Sequence, residues 1–327
     1  MKETVLIAVD SGKYATKAIL KSKDRQAITI FRTKMQKVAS NEMEIQTGSF
    51  LVQHKENFYL VGDAVSENHT NHDLTKKLDF HKICIYTAIA ELLRLANLKP
   101  EDVKIHLAVN APISTYNDSI SKQSYKDFIE NDGDPILFQL NNQVYYFHLK
   151  DITIAFEGMG VVYDEMEAIK EKNVTTTVID IGGLNTTFCT FDKITPVFDS
   201  MVVSNLGISL LKAKLAKLIN EHFEIAVNQN DLERILQNGY LAVGGKINEE
   251  SKQLIQGVKA EHFKEIIAFA KGRGYTFLNM DVQFVGGGSY MLFDIIQKEF
   301  PNARIVINPQ FANVKSFLKI LEIKHGL

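Results

Sequence analysis

The sequence contains no tryptophan, two cysteines and six prolines, and its charges nearly balance. Cys84 and Cys189 lie in apolar stretches outside any C-x-x-C pair, which predicts two reduced core thiols rather than a disulfide framework. Apolar runs such as residues 83–90 are much shorter than the ~20 residues that a membrane helix requires. The N-terminal residues show no basic segment followed by an apolar core and a cleavage site. We therefore expect no signal peptide, no membrane association and a cytoplasmic location.

The near-balance of positive and negative charge limits the kinds of partner that the chain can bind. Lys and Arg total 37, Asp and Glu total 39, and the formal charge is -2. Broad binding of a nucleic-acid backbone needs a strongly basic face, so the composition argues against it. Hydrophobic residues make up 45% and charged residues 23% of the chain, values typical of folded domains, which excludes disorder as the main state. A length of 327 residues predicts about two domains.

The two halves of the chain open with the same series of predicted elements. Each begins with an apolar strand that ends in Asp, a turn of small residues, two further strands and then helices. The strands are predicted at residues 4–9, 16–20 and 27–31, and again at 174–179, 186–191 and 197–203. An internal duplication predicts two related α/β halves with a cleft between them, where small ligands bind. The junction near residues 158–160 lacks a linker composition and is typical of a hinge.

The first turn carries a possible anion and metal site. Asp10 is followed by Ser11, Gly12 and Lys13, and Lys17 lies on the returning strand. Such a turn can direct backbone N–H groups into one concavity that holds an anion. Asp10 can hold hydrated Mg²⁺, and Lys17 can neutralise a phosphate. Alone, the segment is more typical of an ordinary hairpin with a surface lysine, because Asp-x-Gly turns are common.

The second turn has the same layout. Asp180 ends a strand, and Gly182, Gly183, Asn185 and Thr186 follow it. Two Asp-bearing turns from two related halves are more specific than either one, because together they could hold both sides of a phosphate chain and its metal ion.

A third motif follows the strand predicted at residues 282–285. Gly286, Gly287, Gly288 and Ser289 precede a predicted helix, and glycines allow the backbone to approach a base and ribose closely. The segment is neither a Walker A loop nor a G-x-G-x-x-G motif.

Glu157 stands between a predicted strand and a helix predicted at residues 160–169. A carboxylate there can simply complement the helix dipole. If it faces the cleft instead, it can orient or activate a water for attack on a γ-phosphate.

Together these segments resemble the actin/sugar-kinase/heat-shock ATPase superfamily. The segments that carry the resemblance are phosphate-1 at residues 10–17, connect-1 at 157–158, phosphate-2 at 180–187, the adenosine motif at 285–289, connect-2 at 311–314 and a Val-Gly-Asp segment within 59–64. Residues 205–211 and 308–314 are most similar to the ParM/StbA branch, the plasmid-segregating bacterial actins, which also has Glu at connect-1. Phosphate-2 departs from that branch, because Leu184 and Asn185 intervene and Phe188 follows.

The resemblance implies an α/β, actin-like fold of two related RNase H-like domains that flank a nucleotide cleft. The first domain would comprise residues 1–158 plus 309–327, and the second residues 159–308.

The resemblance also implies a function: binding of ATP (or GTP) with Mg²⁺, assembly into a polar or antiparallel filament, and hydrolysis that drives disassembly. Asp10 and Asp180 would hold the Mg²⁺ and act in catalysis with Glu157. The nucleotide would contact Ser11, Gly12, Lys13, Lys17, Gly182, Gly183, Asn185, Thr186, Gly286, Gly287, Gly288 and Ser289. The partner would be an adaptor protein bound to a centromere-like plasmid site.

Two other functions remain open at this point, a small-molecule kinase and a non-polymerising ATP-binding scaffold on the same fold. A separate metal site is not favoured, because beyond the pair His69 and His72 no further ligand spacing supports it; its other candidate ligands are His81, Asp73 and Asp79.

Overall fold

The computed structural model describes residues 2–39, 44–70, 75–306 and 308–326. The strands of the described chain are β1 Glu3–Ser11, β2 Ala15–Lys21, β3 Gln26–Arg32, β4 Met35–Val38, β5 Ser49–His54, β6 Asn57–Gly62, β7 Val103–Ala111, β8 Ile136–Leu140, β9 Gln143–Phe147, β10 Asp151–Phe156, β11 Thr175–Ile181, β12 Thr186–Asp192, β13 Thr195–Ser204, β14 Leu241–Val243, β15 Lys246–Asn248, β16 Met280–Val285 and β17 Arg304–Ile305. Its helices are α1 Asp79–Leu95, α2 Ile113–Asn117, α3 Ser119–Glu130, α4 Met166–Lys170, α5 Ile208–Phe223, α6 Gln229–Asn238, α7 Glu249–Gly272, α8 Gly287–Met291, α9 Phe293–Glu299 and α10 Ala312–His325. Within these ranges, no helix is both long and apolar enough to cross a membrane.

The chain divides into two compact units. Unit 1 comprises Met1–Asp164 and Asn313–Leu327, and unit 2 comprises Glu165–Ala312.

Unit 1 is built on a sheet with the strand order β10-β7-β1-β2-β3. Strand β1 pairs in parallel with β7 and antiparallel with β2. Val5, Leu6, Ile7, Ala8 and Val9 are all fully buried, which explains why β1 is a continuous apolar run rather than an alternating one. Helix α1 packs against this sheet and is buried over most of its surface.

A second sheet of unit 1 has the order β4-β6-β5-β8-β9. Asn141 and Asn142 join β8 to β9, and both residues have positive φ (47° and 68°). A two-residue turn with positive φ at both positions matches the twist of the strands that it connects. Short β4 is absent from the sequence prediction, since its four residues show only a weak alternation.

Unit 2 has a sheet with the order β13-β12-β11-β16-β17. Strand β11 pairs antiparallel with β12 and in parallel with β16. Its strand directions and order therefore repeat those of the first sheet of unit 1, and the predicted internal duplication is confirmed at the level of topology. Asp10 lies opposite Lys17 in the first sheet, and Asp180 lies opposite Thr187 in the second.

Two predicted helices differ from those observed. The helix expected at residues 160–169 begins only at Met166, because Gly158 and Gly160 have positive φ (91° and 58°) and the Gly160 amide donates to the Asn313 side chain. The helix predicted after the glycine run is divided into α8 and α9 at Leu292, whose φ and ψ of -104° and 13° are not helical.

Candidate functional site

Asp10 lies near the carboxyl end of β1 and is 5% exposed. Lys17 is its register partner on β2, and the distance from Lys17 Nζ to Asp10 Oδ2 is 3.6 Å. Asn110 Nδ2 donates to the other oxygen, Asp10 Oδ1, at 2.8 Å. The carboxylate is thus held between an ammonium group and an amide, which keep it in place although it is buried.

Asn110 connects the two expected acidic residues of unit 1. It is fully buried at the end of β7, and its Nδ2 also lies 3.2 Å from Glu157 Oε1. Its Oδ1 accepts from the Ser11 amide at 3.0 Å. Because β1, β7 and β10 are parallel neighbours, their carboxyl ends meet at one edge of the sheet and bring Asp10, Asn110 and Glu157 together.

Lys76, like Asn110, is a site residue that the sequence did not predict. Its side chain is 1% exposed and forms an ion pair with Glu157, which is 26% exposed. Lys76 Nζ also donates to the Ser11 carbonyl at 2.5 Å. Burial alone raises the pKa of the Glu157 carboxyl, but the neighbouring lysines, Lys76 first, outweigh burial and hold the pKa below its ordinary value of 4.5. Glu157 is therefore ionised at neutral pH.

His81 on α1 also belongs to this cluster of polar side chains around Ser11. Its Nδ1 lies 3.2 Å from Ser11 Oγ, and its Nε2 lies 3.3 Å from Lys13 Nζ. Burial, followed by the charges of Lys76 and Lys13, lowers the pKa of His81 to about 2, so its ring is neutral. Since an ammonium group can only donate, Nε2 accepts from Lys13, and the ring proton resides on Nδ1, which donates to Ser11. The first turn is thereby fixed to α1.

The second turn, in unit 2, is closed by its own backbone. The Gly182 amide donates to the Asn185 carbonyl at 2.8 Å. At the start of α5, the Ile208 amide donates to Gly182 O at 3.1 Å and the Ser209 amide donates to Gly183 O at 2.7 Å. These bonds satisfy N–H groups that a helix N-terminus would otherwise leave unpaired and fix the turn to α5.

Thr186 follows that turn and is fully buried. Its hydroxyl donates to the Leu206 carbonyl at 2.8 Å, so the hydroxyl proton is already engaged in a hydrogen bond within unit 2.

The glycine run after β16 lies against Asp180. Gly286 has φ of 83°, and a Cβ there would lie 2.3 Å from Asp180 Oδ1. A Cβ at Gly288 would lie 2.4 Å from Ile181 Cγ2, whereas Gly287 is exposed with open space around it. Ser289 is buried, and its hydroxyl donates to the Val285 carbonyl at 2.5 Å. The structure thus brings Asp180 and the glycine run together in unit 2.

Each unit therefore assembles one part of the expected site. Unit 1 joins Asp10, Ser11, Lys13, Lys17 and Glu157 through Asn110, Lys76 and His81. Unit 2 places Gly286 against Asp180 and Gly288 against Ile181, and it fixes the turn of Gly182, Gly183 and Asn185 to α5. A polar residue at a strand end is the signal that could have identified Asn110. No local pattern singles out Lys76, and none assigns His81 to the first turn. Of the disfavoured histidine-rich stretch, His72 and Asp73 lie outside the described residues.

Comparison with known proteins assigns this architecture. The archaeal actin homolog Ta0583 superposes with a TM-score of 0.81 at 17% identity, covering 98% of this chain and 99% of that one. Residues 8–160 match the family described as Actin like proteins N terminal domain. The chain has an actin-like fold. The fold expected from the motifs is thereby confirmed.

Two filament structures also resemble this chain. An Alp12 filament matches at 26% identity with a TM-score of 0.70, covering 99% of each chain. A 15-stranded ParM filament from Clostridium botulinum matches at 19% identity with a TM-score of 0.76, covering 97% of this chain and 99% of that one. The expected resemblance to ParM-type proteins is confirmed. No curated protein matches the chain by sequence.

Proposed function

We propose that this actin-like protein binds ATP (or GTP) with Mg²⁺, polymerises with copies of itself and hydrolyses the nucleotide, which destabilises the filament. We further propose that the filament acts in the cytoplasm and moves plasmid DNA through an adaptor bound to a centromere-like site. The observation that carries this proposal is the buried group of Asp10, Asn110 and Glu157 at one sheet edge, beside three lysines.

The solved structures of similar proteins support the proposed self-assembly and the proposed binding of a nucleotide. Alp12 and ParM are known as filaments, and Ta0583 is known in complex with ADP. The near-neutral composition, with a formal charge of -2, supports an adaptor rather than broad DNA contact by the chain itself.

The residues present fit a hydrated magnesium ion. Asp10 and Asp180 occupy corresponding places in the repeated sheets, and Mg²⁺ favours one or two carboxylates together with waters and phosphate oxygens. Lys13 and Lys17 lie near Asp10 and would neutralise the phosphates. The close approach of Gly286 to Asp180 would bring the backbone against the nucleoside. When bound, Mg²⁺ neutralises charge on the phosphate oxygens.

Glu157 is suited to orient water. Asn110 and Lys76 fix its carboxylate, which is ionised and 26% exposed, so one side remains open to accept a hydrogen bond. A carboxylate whose pKa is depressed is a weak base. Its role is therefore to hold the attacking water rather than to remove its proton early.

The proposal is tested by following light scattering and phosphate release together after Mg-ATP or Mg-GTP is added to the purified protein. A scattering rise above a critical concentration, followed by phosphate release and decay, is expected. Formation of the nucleoside diphosphate only with added metabolites, without release of inorganic phosphate, would instead identify a kinase. An absence of both signals would identify a scaffold.

A further inference from the structure

Three potential metal-binding side chains meet in unit 1, away from the group around Asp10. They are His106 on β7, Asp151 on β10 and His325 on α10, and one nitrogen or oxygen atom from each lies within 4.8 Å of the others. His106 precedes Asn110 by four residues on the same strand, a distance of about 13 Å at the strand rise. The cluster is therefore separate from the proposed nucleotide site.

The fold places these side chains together for structural reasons. His106 and Asp151 are register partners on parallel strands, so their side chains share one face of the sheet. His106 Nδ1 lies 2.6 Å from Asp151 Oδ2. The last turn of α10 brings His325 Nε2 to 3.1 Å from the same oxygen, and the two imidazole centroids are 3.7 Å apart.

One nitrogen of this cluster is buried without a hydrogen bond. Within the described chain, no atom meets hydrogen-bond geometry with His325 Nε2, although it faces the carboxylate. A buried nitrogen without a hydrogen bond is unfavourable, and a shared cation would satisfy it. The side chains of His106 and His325 are 6% and 15% exposed, whereas Asp151 is 29% exposed and leaves a route for an ion.

Neighbouring side chains orient the Asp151 carboxylate so that one of its oxygens can bind a metal ion. Lys324 Nζ donates to Asp151 Oδ1 at 2.7 Å and to Thr153 Oγ1 at 3.2 Å. Oδ1 is thus engaged by Lys324, and Oδ2 is the oxygen that faces both imidazoles. Hydrogen bonds of this kind orient metal-binding carboxylates in known sites.

We propose that His106, Asp151 and His325 bind Zn²⁺. Two imidazoles and one carboxylate suit this ion, which takes three protein ligands and a water at open sites. Ligand atoms about 2.0–2.1 Å from a tetrahedral zinc lie about 3.3 Å apart, so His106 and Asp151 must separate by several tenths of an ångström. The bound ion would fix the last turn of α10 to the edge of the sheet.

The test uses the full chain, freed of metals with a chelator and kept without nucleotide. We expect one zinc per chain in a competition with a chromophoric chelator, and the absorption bands of tetrahedral Co²⁺ when cobalt is bound instead. We also expect zinc to raise the Tm. Absence of a stoichiometric zinc site, or octahedral cobalt spectra alone, overturns the proposal. Because nucleotide is absent, the outcome does not depend on the proposed hydrolysis.

Substitutions of the proposed ligands test where the zinc ion binds. His325→Gln should weaken zinc binding more than about 100-fold, since even loss of a residue that only orients a ligand costs about 10–100-fold. His222→Gln on α5 is the matched control, because His222 is an exposed helical histidine outside the cluster, and zinc affinity should stay unchanged. Asp151→Asn should behave as His325→Gln does, with circular dichroism confirming that each variant is folded. Unchanged zinc affinity in folded His325→Gln and Asp151→Asn contradicts the assignment.

Discussion

At the scale of single residues, Glu157 combines two properties that seldom occur together in a carboxylate. It is largely covered by protein, and yet Lys76 keeps it ionised while Asn110 fixes one of its oxygens. A charge that is paired and hydrogen-bonded tolerates burial, because its neighbours replace the water that it loses. The same contacts leave little freedom for the carboxylate to turn, which is what the orientation of a water molecule requires.

Glu157→Gln should slow phosphate release by about 100-fold, because the amide does not hold the attacking water as the ionised carboxylate does, and misplacing a reacting group costs about that much. Assembly should persist, and filaments should last longer, because nucleotide remains intact within them. Scattering and phosphate release measure the two effects separately. The control Glu221→Gln changes an exposed carboxylate on α5 and should leave both signals unchanged. An unaltered hydrolysis rate in Glu157→Gln would exclude the proposed role.

The ion pair of Glu157 also predicts how stability depends on pH. Since the folded state depresses the pKa, the carboxylate contributes stability fully above its unfolded value of about 4.5, and this contribution is lost as the pH falls through the folded pKa. The wild-type protein should therefore be more stable than Glu157→Gln at pH 7, and the difference should shrink as the pH falls below 4.5. Denaturant unfolding at a series of pH values measures it; a difference that does not change with pH contradicts the prediction.

At the scale of elements, each functional turn is fixed to a neighbouring element. In unit 1, His81 of α1 holds the first turn through Ser11 and Lys13. In unit 2, amides at the start of α5 hold the second turn, and Gly207 lies so close that a Cβ would be 2.2 Å from Leu184 C. The turns are therefore parts of packed units and need little ordering when a ligand binds.

The glycine run supplies a matched pair of variants. Gly286→Ala should destabilise the protein by about 1–3 kcal/mol, because φ of 83° is strained for alanine and its Cβ would lie 2.3 Å from Asp180 Oδ1. Gly287→Ala should be neutral or slightly stabilising, since that position is exposed, lies in helix α8 and has open space. Chemical denaturation compares the two. Equal stabilities would show that the close approach to Asp180 is absent.

At the scale of the whole molecule, each unit encloses its own apolar core, and one cysteine lies in each. Cys84 on α1 and Cys189 on β12 are both free and buried. Burial raises the pKa of each thiol to about 12, which leaves almost no reactive thiolate at neutral pH. The prediction that both cysteines are buried and outside a disulfide is confirmed.

Both thiols should therefore resist a water-soluble thiol reagent in the folded protein and react fully in denaturant. The labelling rate of each cysteine, followed by peptide mass spectrometry, reports the opening of its own unit. If one cysteine reacts at a lower denaturant concentration than the other, the two units unfold separately. Rapid labelling of either cysteine under native conditions contradicts the burial of that thiol.

The sequence by itself determined what depends on neighbouring residues. The alternation and apolar runs define most strands, helical spacing defines α1 and α7, and the repeated order of strand, Asp and small-residue turn predicted the duplicated topology. These patterns are local, because each backbone conformation imposes its own period on the side chains. The roles of Asp10, Asp180 and Glu157 stay predictions for the experiments above.

The tertiary structure alone decided which distant residues meet. Asn110 lies 99 positions from Ser11 and Lys76 lies 65 positions from it, yet both bond to its backbone. His106, Asp151 and His325 meet only because two parallel strands align and the last turn of α10 packs over them. No local period relates such residues: their contact depends on strand order, register and helix packing, which are fixed when the whole unit buries its core.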